Sequence, residues 1–283
     1  MDSRFPIVRS LGALTLLTLL AAFLAGCSGG EDETPVASAQ PAPEPPVEVL
    51  YNSALDALVA EEYEQAAAGF DLVERQYPYS VWATKAQIMA IFSYYMTNDY
   101  DLAIGAAERF IRLHPGSKDT PYAHYMIAVS NYEQIADVER DQGRTREALN
   151  KLQEVLQRYP RSAYAQDAQA KLALTRDHLA GKEMTVGRYY LQRGHYVAAI
   201  NRFRNVVEQF QTTSHTPEAL HRLVESYLSL GVTDEAQATA AVLGHNYPQS
   251  QWYRDSYAML QGEDLEPEPS EGSWISQVWN SIF

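Results

Sequence analysis

Apolar positions in this chain recur at helical spacing in segments of about a dozen residues, separated by short polar joints. The stretch from Leu50 to Ser80 shows the unit. Two apolar-striped segments flank a joint at Glu61-Glu62, and the second carries Tyr63, Ala66, Phe70 and Val73 before it stops at Tyr77-Pro78. The phrase then returns along the chain. An alanine is followed seven residues on by an apolar residue, and four further on by a ring. Ala66, Val73 and Tyr77 set the pattern; Ala103, Phe110 and His114 repeat it, as do Ala148, Val155 and Tyr159. Ala199, Val206 and Phe210 follow, then Ala236, Leu243 and Tyr247, and proline comes after every ring except Phe210.

A two-helix phrase repeated five times cannot bury its apolar faces one unit at a time, so the units must stack. The stop prolines Pro78 and Pro115 lie 37 residues apart, close to the tetratricopeptide period of about 34. The pattern predicts an all-α, right-handed solenoid of about five tetratricopeptide-like helix pairs over 49–260. The N-terminal units cover about 49–162 and the C-terminal units about 163–260. The third unit carries an insertion, Ile135 to Gly143, charged and loop-like. In the fourth, Ala165 to Leu179 reads as one helix, and Lys182 to Arg193 either continues it or starts another after Gly181. Trp252 to Leu260 reads as the polar-faced cap that a solenoid end requires.

The ends of the chain are of a different kind. A short basic start with Arg4 and Arg9 leads into the apolar run Leu11 to Ala25, which is too short for a comfortable membrane span and ends Leu24-Ala25-Gly26-Cys27. Residues 1–26 read as a lipoprotein signal peptide, with Cys27 as the lipid attachment site and first mature residue. Cys27 is the single cysteine in the chain, and its place in this motif accounts for it. An Asp at position 28 would resemble an inner-membrane retention signal, and Ser28 there tilts the reading toward the outer membrane. Residues 27–48, acidic and rich in proline, read as a flexible tether. Residues 261–283 read as an acidic linker plus a short apolar C-terminal helix. Trp274, Ile275, Val278 and Trp279 fall on one side of it, a stripe that either folds back on the solenoid or docks on a partner.

Charge narrows the partners. Acids outnumber bases 36 to 22, a net charge of -14, which argues against nucleic acid, since that needs a basic footprint. The seven histidines are scattered over different units, and the sequence has no HExxH, G-x-S-x-G or P-loop. We expect no cofactor, no metal and no catalysis. One group of residues stands out against the acidic background: Arg188-Tyr189-Tyr190, Arg193-Gly194-His195-Tyr196 and Asn201-Arg202 gather bases and rings around one helix-turn-helix corner. Either a partner reads this corner, or it is a solenoid corner with an internal Arg–Glu pair.

Several of these marks together resemble the BamD (ComL) family of tetratricopeptide lipoproteins. They are Tyr77-Pro78, the run Asp99 to Pro115 with Arg109-Phe110-Ile111-Arg112-Leu113, Tyr125-Met126, Arg140-Asp141-Gln142, Tyr159-Pro160 with Ser162, and the block from Tyr189-Tyr190 through Arg193-Gly194 to Asn201-Arg202. Ile127-Ala128 departs from the Arg-Gly usual in the family. The resemblance implies an outer-membrane lipoprotein on the periplasmic face, with a non-enzymatic scaffold role in the assembly of outer-membrane β-barrel proteins. It implies that the C-terminal repeats dock on a BamA POTRA domain, with Tyr189, Tyr190, Arg193 and Arg202 as partner-binding candidates. It also implies contacts with accessory Bam lipoproteins. The N-terminal repeats would receive unfolded outer-membrane β-barrel proteins along a wall that includes Tyr51, Tyr94 and Tyr95. Two other readings are open: another periplasmic tetratricopeptide adaptor coordinating envelope or peptidoglycan processes, and a lipid-anchored ligand-binding protein or enzyme.

Overall fold

The computed structural model of the chain describes residues 44–282. Residues 1–43, read from sequence as a signal peptide, Cys27 and most of a tether, lie outside the described residues. Twelve helices follow one another: α1 Val47–Val59, α2 Tyr63–Gln76, α3 Val81–Met96, α4 Tyr100–Leu113, α5 Thr120–Glu133, α6 Gly143–Arg158, α7 Ala165–Gln192, α8 Tyr196–Gln209, α9 Thr216–Ser229, α10 Thr233–Asn246, α11 Gln251–Gly262 and α12 Trp274–Ile282. Each of the first ten packs on the next, α12 packs on α10, and no strand occurs among the described residues. The described part of the chain is thus an all-α tetratricopeptide-type stack of helix pairs.

The repeated residues explain the repeated shape. Ala66, Ala103, Ala148, Ala199 and Ala236 are all fully buried, as are the apolar residues seven positions on. A methyl at these points lets two helices approach where a larger side chain would hold them apart. The ring that ends each second helix takes one conformation throughout, φ near −131° with ψ between 35° and 55°. Proline after the ring disfavours the helical region for it, yet Phe210, followed by Gln211, stops in the same way. Packing therefore fixes the stop and proline reinforces it. The tight turns repeat too: Glu61, Asn98, Gly194 and Gly231, each two residues before a second helix, have φ between 61° and 73°. Glycine enters that region freely and asparagine with little difficulty, whereas a glutamate there is strained. The third unit has no such turn; its insertion fills 134–142 instead.

Two expectations are resolved by the packing. The fourth unit does not break after Gly181, because α7 is continuous for 28 residues, about 42 Å at 1.5 Å per residue. Gly181 sits inside it where a Cβ would come 3.2 Å from His215 and 3.8 Å from Val138. The core divides along this helix. Ala168 and Leu172 belong to a cluster with Leu152 and Val155, while Ala180 and Met184 belong to the large C-terminal cluster with Phe203 and Leu223. The two core clusters thus share one helix and meet inside α7.

The second concerns the C-terminus, where the docking stripe needs correction. Ile275 is fully buried and Trp279 nearly so, both within the C-terminal core cluster, and α12 packs on α10. Trp274 donates from Nε1 to the Tyr227 hydroxyl at 2.7 Å and lies against the Arg204 guanidinium, 4.1 Å from ring centre. Ser273 donates to Glu235 at 2.6 Å, and the linker is tied by Gln237 donating to the Glu266 carbonyl. The stripe folds back because α10 is the last second helix of the stack and has no following unit to cover it. The apolar face of Trp274, Ile275 and Trp279 is consumed within the molecule. The solenoid end is closed by α11 and α12 together, not by α11 alone.

Candidate functional site

The odd-numbered helices touch one another in sequence, α1 with α3, α3 with α5, α5 with α7, and later α9 with α11. Helices on the short side of a curved stack come close in this way, so the odd row is the inner wall. Rings and carboxylates bridge its helices. The Tyr51 ring, on α1, lies 4.8 Å from Trp82 on α3, and Lys85 sits 4.8 Å from the Trp82 ring centre. Tyr95 on α3 donates to Glu133 on α5 at 3.1 Å, and Tyr125 on α5 donates to Asp167 on α7 at 2.6 Å. Tyr125 also stacks on Tyr164, which meets Tyr122, and Lys171 bonds Asp167 while lying against Tyr132.

The electrostatics follow from half-burial. Burial first, then Glu133, pushes the Tyr95 phenol up to about 12, and burial with the Asp167 bond raises Tyr125 further. Burial would raise the Asp167 carboxyl, but the Tyr125 hydroxyl and Lys171 outweigh it and hold it below its usual value. At neutral pH the wall therefore presents neutral phenols, two of which, Tyr95 and Tyr125, commit their protons to Glu133 and Asp167. It offers ring faces and acceptor oxygens, with few free charges.

Tyr94 does not share this wall. One residue from Tyr95 is about 100° around a helix, and the Tyr94 hydroxyl donates to Asp71 on α2. It faces a cleft between second helices that also holds Arg75 and Asp99. Tyr51 and Tyr95 lie on the odd-helix wall, and Tyr94 does not. The rings that sequence reasoning missed are Tyr122, Tyr125, Tyr132 and Tyr164. Three of them lie on α5, and its tyrosines at 122, 125, 132 keep to one helical face, a spacing visible in the sequence.

The corner near Arg202 splits in two. Tyr189, half exposed, carries the Arg193 guanidinium 4.4 Å from its ring centre and meets Tyr190 edge-on. Tyr190 and Arg202 instead line a cavity of about 460 Å³ with Glu183, Asn201, Arg204 and Glu208. Arg202 donates to Glu183 on α7 at 3.2 Å, Arg204 bonds Glu208, and Arg188 grips Glu218 with two bonds of 2.9 and 3.0 Å. The arginine partner open from sequence is thus supplied within the repeats. One bond to Glu183 leaves most of the five Arg202 N–H donors for another acceptor. Glu183 lies nineteen residues before Arg202, so only the packing of α7 on α8 joins them. Among the described residues there is no cluster of three or more His, Cys, Asp or Glu side chains that could hold a metal ion. No described helix is long and apolar enough to cross a membrane.

Known proteins place this geometry. Residues 43–243 match the family described as outer membrane lipoprotein, YfiO. The chain is 47% identical over 249 residues to the outer membrane protein assembly factor BamD of Caulobacter vibrioides, covering 88% of this chain and 80% of that one. It is 38% identical to the BamD of Rickettsia prowazekii, covering 87% and 96%, and 36% identical to that of Neisseria meningitidis, covering 72% and 80%. Among solved structures it is similar to a thermophilic tetratricopeptide protein of Thermus thermophilus, with 20% identity, a TM-score of 0.34 and 75% and 97% coverage.

Proposed function

This chain belongs to the BamD family of outer membrane protein assembly factors, and from that premise we propose that it is a non-catalytic scaffold of the β-barrel assembly machinery. It is anchored through acylated Cys27 to the periplasmic face of the outer membrane. The division of labour follows the two halves that meet in α7. The inner wall of the N-terminal half receives extended segments of unfolded barrel proteins, and the C-terminal corner docks on a POTRA domain of BamA. Accessory lipoproteins use other faces of the stack.

The observation that carries this reading is the inner-wall ladder of Tyr51, Tyr95, Tyr125 and Tyr164. An extended peptide on a helical wall needs flat apolar faces for its side chains and fixed polar groups for its backbone. The ladder supplies both: the Tyr95 and Tyr125 hydroxyls are held by Glu133 and Asp167, and Tyr51 and Tyr164 are held by ring contacts, so the rings are oriented before the peptide arrives. At the corner, a carboxylate on the partner can bind the donors Arg202 leaves unused.

Two variants of the full chain test the halves separately. Arg202→Glu places a carboxylate beside Glu183, and its affinity for isolated BamA POTRA domains should fall at least tenfold with circular dichroism unchanged. Unchanged affinity removes the corner from the interface. Photocrosslinkers at Tyr51, Tyr95 and Tyr125 should capture a synthetic C-terminal barrel-protein peptide, and capture only at C-terminal positions would refute the groove.

A further inference from the structure

Where α7 crosses from one half to the other, a second cleft opens, of about 790 Å³. The insertion loop 134–142 forms one side and the middle of α7 the other. The end of α5 and the loop before α9 complete it. The loop is fastened here. Gln142 donates to the carbonyls of Asp137 and Arg140, and Lys182 reaches from α7 to the Glu139 carbonyl at 2.9 Å. The far side is fastened too, by Ser214 donating to Asp177 with both its backbone N–H and its hydroxyl. Gly181 forms the floor where these segments converge. The cleft is therefore preformed by hydrogen bonds that do not themselves fill it.

Its lining has two characters. Tyr132, Ile135, Val138 and Leu174 provide an apolar side, and Leu174 is 59% exposed in the middle of a helix. Glu133, Asp137, Glu139 and Asp177 provide carboxylates, against one guanidinium, Arg188, which Glu218 already holds in a bidentate pair. Among the described residues the Glu139 carboxylate makes no bond, its backbone alone being used. His178 also lines the cleft, and its Nε2 is shielded from solvent with no hydrogen-bond partner among the described residues. Tyr132 and Glu133 also belong to the inner wall, where they meet Lys171 and Tyr95. The cleft is thus continuous with the groove and lies at its end.

We propose that this elbow cleft is the terminal pocket of the client groove and takes an apolar or aromatic side chain flanked by a lysine or arginine. The inference rests on the groove reading and adds to it a place and a preference. The apolar side chain lies against Leu174 and Val138, covering surface that is otherwise open to water. The flanking cation pairs with Glu139, the cleft carboxylate with no partner among the described residues. Steering by the surrounding carboxylates favours such a peptide over an acidic one.

The test uses the full chain and two synthetic extended peptides, identical except that a central aromatic residue is flanked by Lys in one and Glu in the other. Tighter binding of the Lys peptide, and its crosslinking from photoreactive residues at both Tyr95 and Leu174, are expected. Leu174→Arg should weaken the Lys peptide at least fivefold, and Glu139→Gln about two- to fivefold, the size of an exposed ion pair. Both residues are exposed, so both variants should keep the wild-type melt. Equal affinity for the two peptides overturns the proposal, as does crosslinking at Tyr95 without Leu174, which leaves the groove itself standing. Absence of crosslinks at both positions overturns both.

Discussion

The fold-back of α12 makes a prediction opposite to that of a free docking peptide. Changing Ile275 to Ala removes three carbons from a fully buried side chain in the C-terminal core. Buried Ile→Ala changes cost about 2–5 kcal/mol, more where the surroundings cannot relax. A nine-residue terminal helix on a single loop can shift into the space, so the lower part of that range applies, about 2–3 kcal/mol. There is also a ceiling. Once the loss exceeds the free energy of docking α12, the segment leaves and α10 is merely exposed, so deleting 273–283 sets the maximum. For a chain of this size 2–3 kcal/mol moves a two-state melting point by about 4–12 °C. Solenoids lose cooperativity between distant units, so the local readout is amide exchange in α10, 233–246. Faster exchange there, with α2 and α4 unchanged, is expected for Ile275→Ala and, to the same or greater extent, for the deletion. Gln277→Ala, on the exposed side of α12, should leave α10 as it was. Wild-type exchange in α10 for both Ile275→Ala and the deletion would refute the docked helix.

Three further outcomes are expected. Gly187→Ala would bring a Cβ to 2.4 Å from the buried Phe203 ring; overpacking of about 1–3 kcal/mol exceeds the roughly 1 kcal/mol gained in helix propensity, so urea melts should show net destabilisation, and a more stable variant would contradict the contact. Glu61→Gly relieves a positive φ of 62° and should stabilise by up to about 1 kcal/mol; a lowered melting point would refute the left-handed turn. Burial, with Arg222, lowers the His221 pKa, while burial with Arg158 and Lys151 lowers that of His124 against the pull of Glu154. A neutral buried histidine contributes stability that is complete above pH 6.5 and lost as pH falls toward the folded-state value. His221→Gln should flatten stability against pH below 6.5, and an unchanged slope would show that His221 is protonated alike in both states.

What the sequence determined by itself is the local grammar. The interval from each repeat alanine to the apolar residue and the ring marks the second helices, because periodicity within one helix depends only on its 3.6-residue turn. All five alanines are fully buried where that interval puts them, and Gly194 and Gly231 mark turns that demand a positive φ. The corner around Tyr189, Tyr190, Arg193 and Arg202 was visible as a concentration of charge and rings.

Tertiary structure decided everything that depends on which faces meet. Gly181 is compatible with a break or with close approach, and only the arrival of His215 and Val138 selects an unbroken α7. Tyr94 and Tyr95 are adjacent in sequence but face Asp71 and Glu133 on different helices, because α3 is packed on both sides. Arg202 finds Glu183, and Trp274 finds Tyr227 and Arg204, across separations of 19 to 70 residues that no local period encodes. The terminal stripe is the clearest case. Its amphipathic spacing fixes that it must bury a face, but the identity of the covering surface follows from the stack ending at α10, leaving one helix with no next unit to cover it.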